Sequence, residues 1–283
     1  MLAGMGARMR LIQHKKEAYW FYRFLSLGYD RYVNPLFWTP RMRSEALELA
    51  RLDQPTLRTV DVGAGTGFAT EGVVARVDPA RVTMLDQSPH QIARANRKPV
   101  LAGVEKVLGD AEDLPFGTDA VDRYVSTGSI EYWPDPQRAI AEAYRVLRPG
   151  GVAMLAGPLP PGNPVARRLA DAWMLFPPEA SYRQWFERAG FDEVAVRHIA
   201  PDWHRPGAAP YALAISGVKR TPGASPASTV VAGRPERLQE PMTPGHALRF
   251  AGRFVAGSLA GALFVPIGVA LEARHRLSRR RGA

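Results

Sequence analysis

Short apolar runs alternate with longer amphipathic runs through the middle of the chain, over residues 55–218. Each apolar run has the length of a buried strand, and each intervening run is long enough for a helix. This alternation predicts an α/β fold with a mostly parallel sheet between layers of helices. The five clearest strand-like runs are RTVDVG, RVTMLD, EKVLGD, DRYVST and GVAMLAG.

The flanking stretches have different patterns and suggest four parts. Residues 1–50 include a helical run crowded with aromatic rings, which predicts an N-terminal helical cap on a catalytic domain over 51–218. Residues 219–247 hold five prolines without apolar periodicity, which predicts a flexible Pro-rich linker. Residues 248–283 combine an apolar run with an arginine-rich tail, which predicts a membrane anchor.

The apolar run of that last part covers residues 254–271, eighteen positions without a charge. Eighteen helical residues span about 27 Å, slightly less than a bilayer core of about 30 Å. Pro266 predicts a kink, so a spanning helix and a bent segment lying in the membrane both remain open. A buried helix packed on the catalytic domain is the alternative.

The formal charge of +10 is concentrated at the two ends of the chain. Four basic residues in 1–16 and five arginines in 274–283 account for all but one of these charges. A nearly neutral body with basic ends favours an anionic lipid surface over nucleic acid, so no nucleic-acid partner is expected. The chain has no cysteine, which excludes disulfides and thiolate metal sites, and no metal site is predicted.

A glycine-rich turn follows the first predicted strand, in TVDVGAGTGFAT over residues 59–70. Gly63, Gly65 and Gly67 permit a tight turn and a close approach of a ligand to the backbone. Glycine-rich turns between a strand and a helix also bind dinucleotides or serve packing alone, so this motif by itself does not identify the ligand.

Three aspartates narrow the choice of ligand. Asp86 ends the second strand, where a carboxylate can accept hydrogen bonds from both ribose hydroxyls, and Asp110 ends the third, where an adenine edge would lie. Asp61 ends the first strand beside the glycines, and it would repel a pyrophosphate. S-adenosylmethionine (SAM) instead brings an ammonium and a sulfonium, so the acidic residue favours SAM as the co-substrate.

The stretch GSIEYWPDPQ leaves the fourth strand at the edge where open α/β sheets bind ligands. Asp135 and Pro136 predict the N-cap and first residue of the next helix. Glu131, Tyr132 and Trp133 precede that helix on a loop facing the methyl group to be transferred. The two rings could stack on an aromatic acceptor or face the sulfonium, and packing under a lid is the alternative.

The order of these motifs, continued by YRVLRPGG over 144–151, resembles the class I SAM-dependent methyltransferases, which are Rossmann-like with a seven-stranded sheet. Longer stretches carry a narrower resemblance over the chain from Gln13 to about Leu271. Taken in order, they are similar to the 2-methyl-6-phytyl-1,4-hydroquinone methyltransferase family (MPBQ/MSBQ methyltransferases) of tocopherol and plastoquinone synthesis. The stretches are QHKKEAYWFYRFLS, TMLDQSPHQ, GDAEDLPF, GSIEYWPDPQ, DAWMLFP and the apolar C-terminal segment.

This resemblance implies membrane association and C-methylation of a prenylated hydroquinone carrying a phytyl or solanesyl chain. Tyr29 is predicted to lie over the sulfonium end of the site, and Tyr132, Trp133 and Trp173 to contact the acceptor. Trp173 belongs to a helix expected over 163–177 and capped by Asn163, which could shelter the prenyl chain or simply pack on the sheet. The cofactor residues that the resemblance implies are Asp61, Gly63, Gly65, Asp86, Gln87, Asp110 and Ala111.

The chemistry of such an acceptor calls for a base. A phenol ring carbon becomes nucleophilic when its hydroxyl is deprotonated, and the carbon then displaces the sulfonium methyl in line. Glu131 and His204 are the preferred candidates because of their positions on loops. The other candidates are His14, His198 and Asp202.

Several functional alternatives remain at this point. The acceptor could be a demethylmenaquinone-type quinone, or the chain could be a membrane module that binds SAM without catalysis. An RNA methyltransferase is a third alternative. Only 13 residues precede HKKEAYW, too few for a typical transit peptide. A bacterial plasma or internal membrane, with the catalytic domain facing the cytoplasm, is therefore expected rather than a plastid. The oligomeric state cannot be inferred.

Overall fold

The computed structural model describes residues 37–205 and 207–229, together with a few positions near the C-terminus. Those positions are 243–245, 247–248, 250–252, 254–255, 266, 269–270 and 273–274, and the side chains of 169, 172 and 173 are not described. Most of the predicted cap, the second half of the predicted linker and most of the apolar run therefore lie outside the described residues. The same holds for Tyr29 and His14.

Seven strands form one sheet, as the alternating pattern predicts. Their order across the sheet is β3-β2-β1-β4-β5-β7-β6. All neighbouring pairs are parallel except the two that involve β7. The strands are β1 (Thr59–Val62), β2 (Val82–Asp86), β3 (Glu105–Leu108), β4 (Val121–Thr127), β5 (Leu147–Pro158), β6 (Asp192–Ile199) and β7 (Ala212–Val218).

Six α-helices connect or cover these strands within the described residues. They are α1 (Pro40–Glu48), α2 (Phe68–Val74), α3 (Pro89–Ala95), α4 (Pro136–Val146), α5 (Pro164–Trp173) and α6 (Glu179–Ala189). Polar caps define several of their starts. The Asp135 carboxylate accepts from Arg138 N–H at the start of α4, and Asn163 Oδ1 accepts from Val165 and Ala166 N–H at the start of α5. Both caps confirm the sequence prediction.

The core consists of two apolar layers, one on each face of the sheet. One layer packs α4 and α6 against the strands through residues such as Ile140 and Phe186, and the other packs α1 and α2 through residues such as Met42 and Val73. A central strand such as β1 is buried along its whole length because helices cover both faces.

The order of the strands reverses between β1 and β4, because the chain proceeds outward from β1 to β3 and then returns beside β1. The loops after these two strands diverge and leave a crevice at the carboxyl edge. The ligand site is therefore expected there.

The predicted linker begins with residues that pack firmly against the domain. Lys219 is fully buried, and the short 3-10 helix Pro226–Thr229 contacts α4 and α6. Residues 219–229 thus belong structurally to the catalytic domain, whereas 230–242 lie outside the described residues. The division into four domains stays a prediction.

No helix within the described part of the chain is long and apolar enough to cross a membrane. The predicted anchor falls mostly on residues that are not described. Its few described positions include exposed apolar side chains at Leu248, Val255 and Val269.

Candidate active site

The glycine-rich loop joins β1 to α2 in a conformation that favours glycine at three positions. Gly63, Gly65 and Gly67 have φ angles of +67°, +57° and +88°. A Cβ at position 63 would also lie 2.5 Å from the Cβ of Ser129, on the loop after β4. Backbone strain and lack of space therefore both exclude a side chain at position 63.

Asp86 connects the end of β2 to this loop. Its Oδ2 accepts a hydrogen bond from Gly65 N–H at 2.8 Å, and its Oδ1 accepts one from Ser88 N–H at 2.8 Å. The carboxylate lines the cleft between the loops and is almost buried. It therefore holds the glycine loop in place from the lining of the cleft, which is where a ribose-binding carboxylate is expected.

Asp61 lies beneath the loop at the end of β1 and is fully buried. Thr70 donates a hydrogen bond of 2.6 Å to its Oδ2, whereas its Oδ1 has no partner among the described residues. Burial, reinforced by the nearby charge of Asp86, raises the pKa of Asp61 to about 7. The side chain does not itself line the cleft, so it acts from below the loop.

The cleft lies at the reversal of strand order and brings together most of the residues predicted to bind the cofactor. Gly63, Gly65, Asp86, Gln87, Asp110 and Ala111 line it. Gly67 begins α2 just beyond it. Three carboxyl side chains line the cleft, those of Asp86, Asp110 and Glu131, and none of its described lining residues is Lys, Arg or His. Its charge suits a cation and disfavours a pyrophosphate.

Glu131 is the third carboxyl that lines this cleft. It lies in the 3-10 turn Ile130–Tyr132 after β4 and is 5% exposed. Its Oε2 is buried without a hydrogen-bond partner among the described residues. Burial raises the pKa of Glu131 to about 8. The backbone oxygen of Glu131 accepts from Leu175 N–H at 3.2 Å, which ties the end of the α5 region to the turn.

Aromatic side chains form the rest of the wall. Tyr132 and Trp133 line the cleft, and both are more than nine-tenths buried. Their contact with the acceptor stays a prediction. Trp38 and Phe68 also line it, although neither was identified as a site residue from the sequence. Trp38 lies so close to Gly128 that a Cβ there would be 3.3 Å from the indole. The sequence placed Trp38 in a ring-rich stretch but offered no signal to separate it from its neighbours.

Polar residues missed by sequence reasoning line the cleft as well. Gln91 lies in α3 and Thr127 ends β4, and each has a buried side-chain oxygen, Oε1 and Oγ1 respectively, without a hydrogen-bond partner among the described residues. Gln91 lies close to the Asp86 motif and Thr127 directly precedes GSIEYWPDPQ, but no sequence pattern indicates that a side-chain oxygen lacks a hydrogen-bond partner. That property depends on the assembled neighbourhood.

The histidine candidates lie elsewhere. His204 is on the loop after β6, where its Nε2 lies 3.0 Å from the carbonyl oxygen of Ala209, and it does not line the cleft. His198 Nε2 lies 2.8 Å from a carboxylate oxygen of Glu179. Asp202 forms an ion pair with Arg41. The geometry thus gives no support to a base among these three.

Trp173, predicted to contact the acceptor, is the last residue of α5, and its side chain is not among those described. The helix is capped by Asn163 as expected, but it ends at Trp173 and is shorter than the predicted range of 163–177. Its role as a shelter for the prenyl chain stays a prediction.

Comparisons with known proteins identify the class first. A methyltransferase-domain family model matches residues 60–155, which include the glycine loop, Asp86 and the turn of Glu131. The solved structure of the cyclase SpnF superimposes with a TM-score of 0.59 at 18% identity, covering 75% of this chain and 99% of that one. A geranyl diphosphate C-methyltransferase of Streptomyces coelicolor gives 0.53 at 16%, covering 63% and 77%. The fold and the family match define a class I SAM-dependent methyltransferase.

Curated sequences identify the family. A 2-methyl-6-phytyl-1,4-hydroquinone methyltransferase of rice is 52% identical over 92% of this chain and 74% of its own length. The Arabidopsis thaliana protein of that name is 52% identical over 93% of this chain and 78% of its own length. The chain belongs to the 2-methyl-6-phytyl-1,4-hydroquinone methyltransferase family.

These relatives correct the predicted location. Both are named chloroplastic plant enzymes, which contradicts the expectation that a bacterial membrane is favoured over a plastid. The expectation was wrong because it relied on the number of residues before HKKEAYW. The point at which a given sequence begins does not report where the protein is located.

Proposed function

We propose that this protein transfers the methyl group of SAM to a ring carbon of a prenylated hydroquinone. The acceptors are 2-methyl-6-phytyl-1,4-hydroquinone and its solanesyl counterpart, in tocopherol and plastoquinone synthesis. The observation that carries the proposal is family membership at about half identity over nearly the whole chain. A cleft lined by three carboxyls and, among its described residues, by no basic side chain supports SAM as the co-substrate.

On the cofactor side, the predicted residues that the structure describes are given the following roles. Asp86 accepts from the ribose hydroxyls while it holds the Gly65 N–H. Asp110 and Ala111 border the adenine, and Gln87 lies between the ribose and the adenine. Asp61 lies beneath the loop without lining the cleft, and its carboxyl favours the cationic methionine end of SAM through its charge rather than by direct contact.

On the acceptor side, the rings of Tyr132, Trp133 and Trp38 provide apolar walls for the hydroquinone. The transfer requires the ring carbon, the methyl carbon and the sulfur in line, and holding them so contributes up to about 7–11 kcal/mol. Walls made of buried rings suit this task because they have few conformations to lose.

Glu131 is the proposed base. Its carboxyl lines the same cleft as the glycine loop, its Oε2 has no partner among the described residues, and its pKa of about 8 makes the carboxylate a stronger base than an exposed glutamate. It removes the proton of the acceptor hydroxyl, the ring carbon attacks the methyl group, and neutral S-adenosylhomocysteine (SAH) departs.

A transfer assay with labelled SAM tests the proposal. Detergent-solubilised protein is offered the phytyl hydroquinone, the solanesyl hydroquinone and demethylmenaquinol, and the products are separated by chromatography. Label in a dimethyl phytyl or solanesyl product supports the proposal. Binding of SAM with no label in any quinol would contradict it and favour a SAM-binding module.

A demethylmenaquinone-type acceptor is the second candidate. A ubiquinone/menaquinone biosynthesis C-methyltransferase of Brucella abortus is 29% identical over 53% of this chain and 68% of its own length. The lower identity and shorter coverage make it the weaker candidate, and label found only in menaquinol would establish it.

The ends of the chain serve the same substrate in this proposal. Residues 1–50 cap the cleft, and Trp38 is the residue in the described part of this stretch, 37–50, that lines it. The apolar run 254–271 contacts lipid, supported by the exposed Leu248, Val255 and Val269. Flotation with liposomes tests this contact, because a chain lacking 248–283 should remain at the bottom of the gradient while the full chain floats.

A further inference from the structure

Glu131 is surrounded by groups that cannot neutralise its carboxylate. Tyr132 is its neighbour in the same turn, and Asp86 and Asp110 line other parts of the cleft. Tyr182 of α6 lies near enough that a negative charge on Glu131 raises the pKa of its phenol. No described lining residue is cationic. The phenol of Tyr182 donates to the carbonyl oxygen of Pro158 and is therefore engaged elsewhere.

A buried carboxylate without a counter-ion is unstable, so the protonated form prevails in the cofactor-free protein at neutral pH. The ligand itself supplies the missing charge. The sulfonium of SAM is a fixed cation that cannot lose a proton, and the methyl donor must lie in the cleft that Glu131 lines.

We propose that SAM binding ionises Glu131, so that the base is formed only when the methyl donor is in place. The inference rests on the proposed function, because it takes SAM as the ligand and Glu131 as the base. It adds a coupling between the two that neither the family nor the fold implies.

The proton balance closes over one cycle. SAM enters as a cation, and the Glu131 carboxyl releases its proton to solvent. The carboxylate then takes the hydroxyl proton of the acceptor, the bond between carbon and methyl forms as the bond between sulfur and methyl breaks, and the ring proton returns to the ring oxygen as aromaticity is restored. SAH is neutral, so Glu131 keeps its proton until the next SAM binds. One proton is released in total, as the overall reaction requires.

Calorimetry with SAM and SAH tests the coupling directly. The two ligands share the ammonium, the carboxylate and the adenosine, and they differ only in the methyl group and the positive charge on sulfur. Titrations at pH 7 in buffers of different ionisation enthalpy give the number of protons released by each ligand. A cation within about 6 Å lowers a carboxyl pKa by about 1 to 3, so SAM should release between about 0.4 and 0.9 proton more than SAH.

Two variants test whether Glu131 is the source of the difference in proton release between SAM and SAH. In Glu131→Gln the excess released by SAM over SAH should vanish while both ligands still bind. Asp61→Asn is the matched control, because Asp61 also has a raised pKa but is buried beneath the loop and does not line the cleft. It should preserve the difference in proton release between SAM and SAH.

The outcomes separate this inference from the proposed function. Equal proton release for SAM and SAH in the unmodified protein would overturn the coupling, even if the hydroquinone is methylated. An excess that persists in Glu131→Gln would also overturn it. Failure of SAM to bind at all would overturn the proposed function instead.

Discussion

At the scale of single residues, two buried carboxyls distinguish this cleft from an ordinary polar groove. Asp61 and Glu131 each have one oxygen without a hydrogen-bond partner among the described residues, and burial raises both pKa values. Groups left unsatisfied in this way are costly to the fold and concentrate at functional sites. They are the features that a cationic ligand and an acidic acceptor hydroxyl would satisfy.

The raised pKa of Glu131 predicts a dependence of stability on pH. The folded protein without cofactor binds a proton that the unfolded chain loses above about pH 4.5, so stability falls as the pH rises toward about 8. Glu131→Gln removes this contribution. We expect the variant to melt at a higher temperature than the parent at pH 8.5 and to differ little at pH 4.5, as measured by calorimetry.

If the melting temperatures of the parent and of Glu131→Gln differ by the same amount at pH 4.5 and pH 8.5, Glu131 is not the source of the pH dependence. Far-ultraviolet circular dichroism at each pH controls for a change in fold.

The proposed catalytic role of Glu131 gives a second prediction at this scale. Glu131→Gln should lower the rate of methyl transfer at saturating SAM by about 100- to 10,000-fold. Because the Glu131 carboxylate favours the cationic ligand, the variant should also bind SAM about 2- to 90-fold more weakly at pH 7. The rate constant comes from single-turnover assays and the affinity from calorimetry. A variant that retains more than a tenth of the parent rate would exclude Glu131 as the base.

Asp86 gives a third prediction. Its carboxylate orders the glycine loop and is proposed to bind the ribose, so Asp86→Asn should weaken SAM binding by about 10- to 100-fold. Asp78→Asn is the matched control, since Asp78 also accepts from a backbone N–H, that of Ala80, but lies outside the cleft. Equal affinities for the two variants would argue against the assigned role.

At the scale of elements, the loop after β1 and the loop after β4 depend on each other. Gly63 leaves room for Ser129, and the Ser129 hydroxyl lies 2.6 Å from that of Ser126 in β4. The Ser126 hydroxyl also donates to the carbonyl oxygen of Val62 at the end of β1. Direct contacts thus hold the two loops on either side of the crevice together. A substitution that moves one loop should therefore displace the other.

This contact predicts the effect of Gly63→Ala. The new methyl group would overlap Ser129, and the positive φ adds about 1–2 kcal/mol of strain. We expect a loss of stability above that amount together with weaker SAM binding. Gly223→Ala is the control, because Gly223 also has a positive φ but nothing lies within 4 Å of its Cβ position.

The second variant should lose stability through strain alone and bind SAM normally. Denaturant titration and calorimetry measure the two effects, and indistinguishable variants would contradict the proposed contact between the loops.

At the scale of the whole molecule, a buried lysine ammonium links several elements at the edge of the sheet opposite the cleft. Lys219 follows β7 and donates to Asp119 at 2.6 Å and to the carbonyl oxygen of Gly223 at 2.7 Å. Its ammonium also lies 4.7 Å from the centre of the Tyr144 ring. This single side chain therefore connects the end of β7 with two other parts of the fold, namely the loop before β4 and helix α4.

Lys219→Met should therefore destabilise the protein by roughly 3 kcal/mol, because it leaves the acceptors around the ammonium unsatisfied. SAM affinity should stay within about twofold, since the site lies at the other edge of the sheet. Urea unfolding and calorimetry measure the two quantities. A large loss of SAM affinity at temperatures where the variant is folded would show that the two edges are coupled.

The sequence by itself determined the α/β fold, the parallel sheet, the caps of α4 and α5, and most of the residues that line the cofactor side. These follow from local rules, such as the alternation of apolar runs and the places where strands end, and the family resemblance added the substrate. Tertiary structure alone decided which rings and carboxyls share the cleft. Trp38 and Thr127 line it, whereas His204 does not, because membership depends on contacts between loops distant along the chain. The raised pKa of Glu131 was decided in the same way, because burial and the absence of a described cationic neighbour in the cleft are properties of the assembled site.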